Sequence, residues 1–459
     1  MSAAARVWSW RSLNERDLSA PRWMSGPLIP AVVAALLGIV GIGAKSLWLD
    51  EAFSAAVARR PTLDLAVYLW HNELHASPYY LFLNAWTFLG TSETVLRLPS
   101  VIFGVVAVVA TYFVARRFGV GFLAALLLAI APLFVQFEQN VRVYTLLVAW
   151  ASVSTLAYLR YVERPTRLRA VVYVICGAAM IYMHPVGAFV IGAHALWSLA
   201  QPSSAARLRR LALFVSIGIA WLPMVGFMAL HRDKISWILP LSGATISDAA
   251  IELCGGALAA GALAVLLALR ARRDLVTLWL IVPICGALAV SALVQPMLQA
   301  RYLIVVLPAV AIIVARNRRV AVAVLAALFA IGVFNWYASP AREDWRAADA
   351  FVMSETVPGD GIVFSPTYAR LPLDYYGPVA DPLYAPIAWT GVDLPGIVPH
   401  GGVPDTYDNP RIWLVEIHGP PLPADVQAAL APYSAVMVRD FGPDGPRISL
   451  LVLDAPGQP

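Results

Sequence analysis

Charge is what this chain has least of. Lys, Arg, Asp and Glu make up 13% of its 459 residues while hydrophobic residues make up 60%, and the mean hydropathy is +0.71. That balance excludes an ordinary soluble globule and indicates a polytopic membrane protein. Cysteine is nearly absent too. The three present, Cys176, Cys254 and Cys285, sit inside apolar runs, which argues against a disulfide framework and against a zinc site of the usual spacing. No glycine-rich phosphate loop occurs, so a soluble nucleotide is not an expected ligand, and no internal repeat is evident. The net charge of +5 comes from arginines in short clusters between apolar runs, the pattern of cytoplasmic loops rather than of a nucleic-acid surface. The polar N-terminus (Arg6, Arg11, Arg16, Arg22) lacks the form of a cleavable signal, so the first apolar run is expected to stay as an anchor.

What is present is a succession of apolar runs. Residues 27–44 form the first, and the arginines before it put the N-terminus inside by the positive-inside bias. Residues 78–90 are shorter than the roughly 20 residues a span needs. If they do not cross, the Arg-rich loops at 116–117, 160–169, 207–210, 270–273 and 316–319 all fall inside with the N-terminus; if they do, all five fall outside. Residues 61–90 therefore read as juxtamembrane or re-entrant helices on the outer surface. The remaining spans are 98–115, 120–135, 143–159, 170–183, 186–200, 211–230, 249–269, 275–294, 302–315 and 320–337, making about eleven. After Tyr337, Pro and Gly become frequent and strand-like alternation begins. This predicts two domains: an all-α membrane domain over 1–338 and a small extracytoplasmic α/β domain over 339–459. The latter is expected to hold helices at 344–356 and 424–433, strands at 361–365, 411–417 and 448–453, and a Pro- and Gly-rich surface loop at 376–409.

Titratable residues not used for topology gather on the outer face, and two of them are adjacent: Asp50 and Glu51, where the first span ends. Charge is costly at that depth, so a function is expected of it. One carboxylate could take a proton from an acceptor hydroxyl; equally, Asp50 could simply cap a short helix beginning at Glu51. The pair is followed by His75-Ala76-Ser77-Pro78-Tyr79-Tyr80, Arg97-Leu98-Pro99-Ser100, Gln139-Asn140-Val141-Arg142-Val143-Tyr144 and Arg301-Tyr302-Leu303. In this order the motifs resemble the GT-C class of membrane glycosyltransferases, in particular the family 39 group of protein mannosyltransferase-like and lipid A aminoarabinose transferase-like enzymes, over roughly the first 340 residues. The resemblance implies a GT-C fold, a polyprenyl-phosphate sugar donor, inverting transfer on the extracytoplasmic face and Asp50 as the catalytic carboxylate. His75-Ala76-Ser77-Pro78 departs from the family's usual His-Pro-Pro.

Such a donor carries its own leaving group. The protein then needs a base for the acceptor and cations for the phosphate. Asp50, with Glu51 in support, is the expected base. Arg142 and Arg301 each open a span at its outer end, where a guanidinium can grip two phosphate oxygens or merely snorkel to the interface. Arg232 and Lys234 are weaker candidates. Tyr144 and His184 are further phosphate candidates, Tyr302 is either an acceptor contact or part of the aromatic belt, and His75 is a candidate for sugar or acceptor. Glu138, a possible acceptor or sugar contact, stands one turn before Arg142, which allows a structural pair as readily as that role. His194, mid-span, reads as a packing residue. No cofactor is expected, although Asp50 and Glu51 could hold a divalent ion. The expected partners are the lipid-linked donor, membrane lipid and a glycan, lipid or protein acceptor, in a bacterial plasma membrane and without nucleic acid. The competing reading is a transporter or lipid flippase, which would put polar groups and broken helices near the midplane, often in two related halves.

Overall fold

The computed structural model describes residues 26–201, 204–235, 237–270, 274–377, 409–417 and 422–454. The four N-terminal arginines and nearly all of the Pro- and Gly-rich stretch expected to be a loop lie outside the described residues. The chain divides into two compact units. The first comprises Met1–Val40, Ala66–Phe82 and Arg97–Ala338; the second comprises Gly41–Leu65, Leu83–Leu96 and Ser339–Pro459. The segment carrying Asp50 and Glu51 thus clusters with the C-terminal residues.

The first unit is helical. Five helices are long and apolar enough to cross a membrane: Glu93–Phe118, Tyr144–Glu163, Ala206–Leu230, Leu275–Leu293 and Arg319–Ala338. Two further pairs pass that test only together, Gly121–Ala129 with Pro132–Glu138, bent by 63°, and Gly243–Cys254 with Ala257–Leu267, bent by 90°. Leu28–Ile39, Gly187–Leu199 and Ala300–Ala315 are shorter apolar helices, and Arg167–Met183 is a helix of 17 residues. The expected count of about eleven is reached only by adding these shorter elements to the five long helices and two bent pairs. Helix Ser77–Trp86 has 10 residues, about 15 Å of rise, half the thickness of a hydrocarbon core.

The bent pairs correct the reading of 120–135 and 249–269 as continuous spans. Pro132 opens its helix; it has no N–H to continue the ladder and disfavours helical geometry at Ala131. At the second break Gly255 has φ +74°, the left-handed cap in which the N–H of Gly256 returns to the carbonyl of Ile251 at 3.0 Å. The two breaks pack together: a Cβ on Gly255 would meet Pro132 Cβ at 2.5 Å, and one on Gly332 would meet Pro132 Cγ at 2.6 Å. Broken helices are therefore present, contrary to the expectation from sequence. Their joint sets Pro132 against Gly255 and Gly332.

In the second unit, β1 (Gly361–Ser365), β2 (Arg411–Ile417), β3 (Tyr433–Asp440) and β4 (Pro446–Leu453) form one sheet in the order β1-β2-β4-β3. β1 and β2 are parallel; β4 is antiparallel to both β2 and β3. Alternate residues bury opposite faces, as period-two strands must. Ile362, Phe364, Trp413 and Val415 pack with Trp345 and Phe441, whereas Val363, Ile412 and Leu414 pack with Val426 and Leu430. The expected helix at 424–433 ends at Leu430, and the edge strand β3 and helix Arg370–Tyr376 were not foreseen.

Candidate active site

Helix Leu49–Ala58 carries the carboxylate pair, and its N-cap is Trp48, in extended geometry with no side-chain cap bond. Asp50 is the second helical residue, so the reading of Asp50 as the cap is incorrect. Two other carboxylates satisfy the exposed backbone donors. Glu51 reaches back to the N–H of Trp48 (3.4 Å), and Glu343, from beyond the last long helix, accepts the N–H of Leu49 (2.9 Å). Glu51 is 1% exposed, whereas Asp50 is partly exposed, which leaves Asp50 as the member of the pair with access to a substrate.

The segment before this helix is held at several points within the same unit. Ser46 donates its hydroxyl to the carbonyl of Glu343 at 2.6 Å. The N–H of Leu47 donates to the Tyr376 hydroxyl at 2.6 Å, and that hydroxyl in turn donates to Glu93. Glu93 pairs with Arg346, which donates to the carbonyl of Gly43 at 3.1 Å. On its other side the helix packs Ala52, Phe53 and Ala56 against Tyr368 and Leu371. Burial pushes the Glu343 carboxyl up to about 7, the negative charges of Asp50 and Asp444 add to the rise, and the bonds from Trp345 Nε1 and the Leu49 N–H oppose it. Sequence reasoning missed Glu343. Its one signal was that Glu343-Asp344 repeats the Asp50-Glu51 arrangement, a carboxylate pair just past the end of a span.

The first unit holds the cationic candidates. Arg142 follows Gln139 and Asn140 in a turn whose place is set by two neighbouring helices. Gln139 Nε2 donates to the carbonyls of Leu37 (3.0 Å) and Val40 (2.6 Å), and its Oε1 accepts from Trp336 Nε1 at 2.9 Å. Ser100, from the Arg97-Leu98-Pro99-Ser100 motif and fully buried, donates to the carbonyl of Asn140 at 2.5 Å and, more weakly, to that of Arg142 at 3.4 Å. Two of the motifs found in sequence thus lock onto each other. Arg301 lies on the short helix Ala300–Leu303, its guanidinium 5.0 Å from the Trp237 ring centroid and 5.8 Å from that of Tyr302.

His184, between two helices, is where these groups meet. Its ring is 4.5 Å from Tyr302 and 6.3 Å from Tyr144. Burial, followed by the positive fields of His75, Arg301 and Arg142, pushes it down to about 3. The imidazole is neutral at pH 7, and Nδ1 accepts the N–H of Val186 at 3.3 Å; the proton therefore sits on Nε2, as a donor for an anion. His75 pairs with Glu73 at 3.2 Å, and the next residue, Ala76, has φ +59°, a backbone that proline cannot adopt. This gives a physical reason for the departure from His-Pro-Pro. Arg142, Arg301, Tyr144, His184, Tyr302 and His75 accordingly form one centre, while Asp50 and Glu51 belong to the second unit.

Glu138 does not join that centre. Its carboxylate is fully buried, with no hydrogen-bond partner among the described residues, and the expected pair with Arg142 is not formed because the helix ends at Glu138 and Gln139 leaves helical geometry. A Cβ on Gly104 would overlap the Glu138 carboxyl. His194 is a packing residue, its Nδ1 bonded to the Tyr173 hydroxyl at 3.0 Å and its Nε2 to Thr155 at 3.1 Å. Among the described residues no group of three or more His, Cys, Asp or Glu is arranged to hold a metal ion.

Residues 76–230 match the family model of dolichyl-phosphate-mannose-protein mannosyltransferase. The fold is similar to that of ArnT from Cupriavidus metallidurans in its crystal structure bound to undecaprenyl phosphate. The TM-score is 0.60 at 15% identity, over 94% of this chain and 99% of that one. The apo state of the same protein gives 0.60 at 14% identity, over 92% and 97%. No curated protein sequence matches.

Proposed function

We propose that the chain is a GT-C membrane protein of the mannosyltransferase- and ArnT-like kind and an inverting glycosyltransferase that takes a sugar, mannose or a pentose such as arabinose, from a polyprenyl phosphate. The acceptor is a cell-envelope glycan, lipid or protein on the extracytoplasmic side. The observation that carries this reading is the centre at His184, where the rings of Tyr144 and Tyr302 lie 6.3 Å and 4.5 Å from the imidazole and the Arg301 guanidinium lies 5.8 Å from the Tyr302 ring. Two fixed cations, an Nε2–H donor and the hydroxyls of Tyr144 and Tyr302 suit a lipid phosphate, whose negative charge grows as the sugar departs. The ArnT structure holding undecaprenyl phosphate supports the same donor class.

In this reading Asp50 accepts the acceptor's proton as its oxygen attacks the anomeric carbon, and the sugar–phosphate bond breaks with the electron pair leaving on the phosphate. Glu51, committed to the helix terminus, keeps Asp50 in place. The test is to incubate purified protein with a panel of labelled polyprenyl-phosphate sugars in nanodiscs. Sugar loss from one donor, dependent on an added envelope extract, is expected. A panel left intact under all conditions overturns the donor assignment.

A further inference from the structure

The C-terminal residues of the second unit hold the Asp50 segment through several hydrogen bonds. Of the two backbone donors that open helix Leu49–Ala58, that of Trp48 is met locally by Glu51, but that of Leu49, directly before Asp50, is met by Glu343 Oε2, 294 residues away in sequence. The same oxygen accepts the indole N–H of Trp345 at 2.7 Å. The Glu343 backbone is tied in as well, its carbonyl taking the Ser46 hydroxyl and the following Asp344 N–H bonded to the carbonyl of Phe441 at 2.9 Å. One residue therefore links the sheet domain, the start of helix Trp345–Glu355 and the first turn of the helix that carries the candidate base.

We propose that Glu343 is the positioning residue for Asp50: its carboxylate closes the N-terminus of the Asp50 helix and so fixes where Asp50 stands. This rests on the proposed role of Asp50 as base. An ionised Glu343 holds the helix terminus through a charge-assisted bond. A protonated Glu343 holds it less well. The charged groups facing it are Asp50 from the helix and Asp444 from the turn after β3, the latter paired with Arg342. Since burial and these neighbours push Glu343 up to about 7, its ionisation falls in the working pH range. The C-terminal domain then has a definite task in the reaction.

The test uses the full chain in nanodiscs with the donor that the sugar panel identifies. Glu343→Gln keeps the shape and an acceptor oxygen but cannot ionise. It should lower kcat about tenfold at pH 8, leave donor KM within about twofold, and abolish the rise in kcat near pH 7. Trp345→Phe removes a bond that favours the ionised form, so the same rise should move to higher pH. Wild-type kcat with an unchanged pH profile in Glu343→Gln overturns the proposal. Hydrogen exchange supplies a readout independent of substrate: amides at Leu49, Asp50 and Glu51 should exchange at least about tenfold faster in Glu343→Ala than in wild type. Unchanged exchange there overturns the proposal, whereas a wild type that discharges no donor overturns only the glycosyltransferase reading.

Discussion

Asp50→Asn separates catalysis from architecture more cleanly here than in most helix-terminal carboxylates, because the structure assigns the capping to other residues. The N–H groups of Trp48 and Leu49 are held by Glu51 and Glu343, and Ser54 bonds to the backbone carbonyl of residue 50, which the substitution leaves in place. Asn keeps the size and one acceptor oxygen of the side chain and removes its negative charge, whose interaction with the helix dipole is worth about 0.3–1 kcal/mol. Part of that is returned, since the charge of Asp50 also opposes ionisation of Glu343. The expected loss of stability is under ~1 kcal/mol. The expected loss of rate is the contribution of a general base, roughly 10²- to 10⁴-fold, or about 2.7–5.4 kcal/mol at 1.36 kcal/mol per tenfold. Single-turnover release of labelled sugar from the lipid donor, measured beside the thermal melt, compares the two quantities on one preparation. Turnover above about a tenth of wild type would move the base elsewhere. A melt lowered by the equivalent of more than ~2 kcal/mol would make Asp50 a structural residue after all. Glu51→Ala is the control, with the opposite balance: it forfeits the bond to the Trp48 N–H, costs about 1 kcal/mol of stability and retains measurable transfer.

Arg142→Ala and Arg301→Ala should each weaken donor binding by about tenfold or more, as loss of a charge-assisted bond of roughly 1.5–3 kcal/mol requires; titration with polyprenyl phosphate lacking a sugar measures this, and wild-type affinity in both variants would remove the phosphate site from His184. Stability of the C-terminal residues should fall as pH rises. Glu343 and Asp349 are held up at about 7 and about 6 in the folded chain, against ordinary values near 4, so the folded state binds more protons than the unfolded one. The stabilisation is complete at acidic pH and lost as pH rises through 6 and 7; hydrogen exchange in β1 and β2 from pH 5 to 8 reads it, and protection that is flat or that rises with pH contradicts the sign. In a cysteine-free background, a thiol placed at Arg164 should be shielded from an impermeant outer-face reagent and one at Asp425 should react; the reverse would invert the proposed sidedness.

The helical half of the fold was legible because lipid imposes a composition. Long apolar helices such as Leu275–Leu293 announce themselves by run length alone. Where the reading erred, a single residue overrode the run: Pro132 and the Gly255-Gly256 pair break what hydropathy averages into one span. Strand β3 was missed for a related reason. Its residues after Tyr433 are largely exposed, so Val436 and Val438 alternate without an apolar face to report them, and the Ala-rich stretch before them reads as continuing helix. Arg142 and Arg301 drew notice in the sequence because the expected topology put each at the outer end of a span, against the positive-inside bias. That Arg142 depends on Ser100 and Gln139 for its place was visible only as two motifs of unknown relation.

The carboxylate centre shows where local reading stops. Asp-Glu ahead of an apolar run predicts a cap, and the rule succeeded in kind: the helix start is capped by carboxylates. It failed in identity, because the residue that meets the Leu49 N–H comes from the far end of the chain. A cap supplied from a distance has no period or spacing to betray it. It has a consequence, however, that a local cap lacks. A local cap travels with its helix, whereas the first turn of the Asp50 helix is completed by a residue 294 positions away in sequence. Removing the C-terminal domain would therefore expose the N–H of Leu49, release the Ser46 and Leu47 anchors and cost the position of Asp50, even with every residue of the His184 centre intact. A truncated chain that still binds the lipid phosphate but no longer transfers sugar is the outcome this arrangement requires.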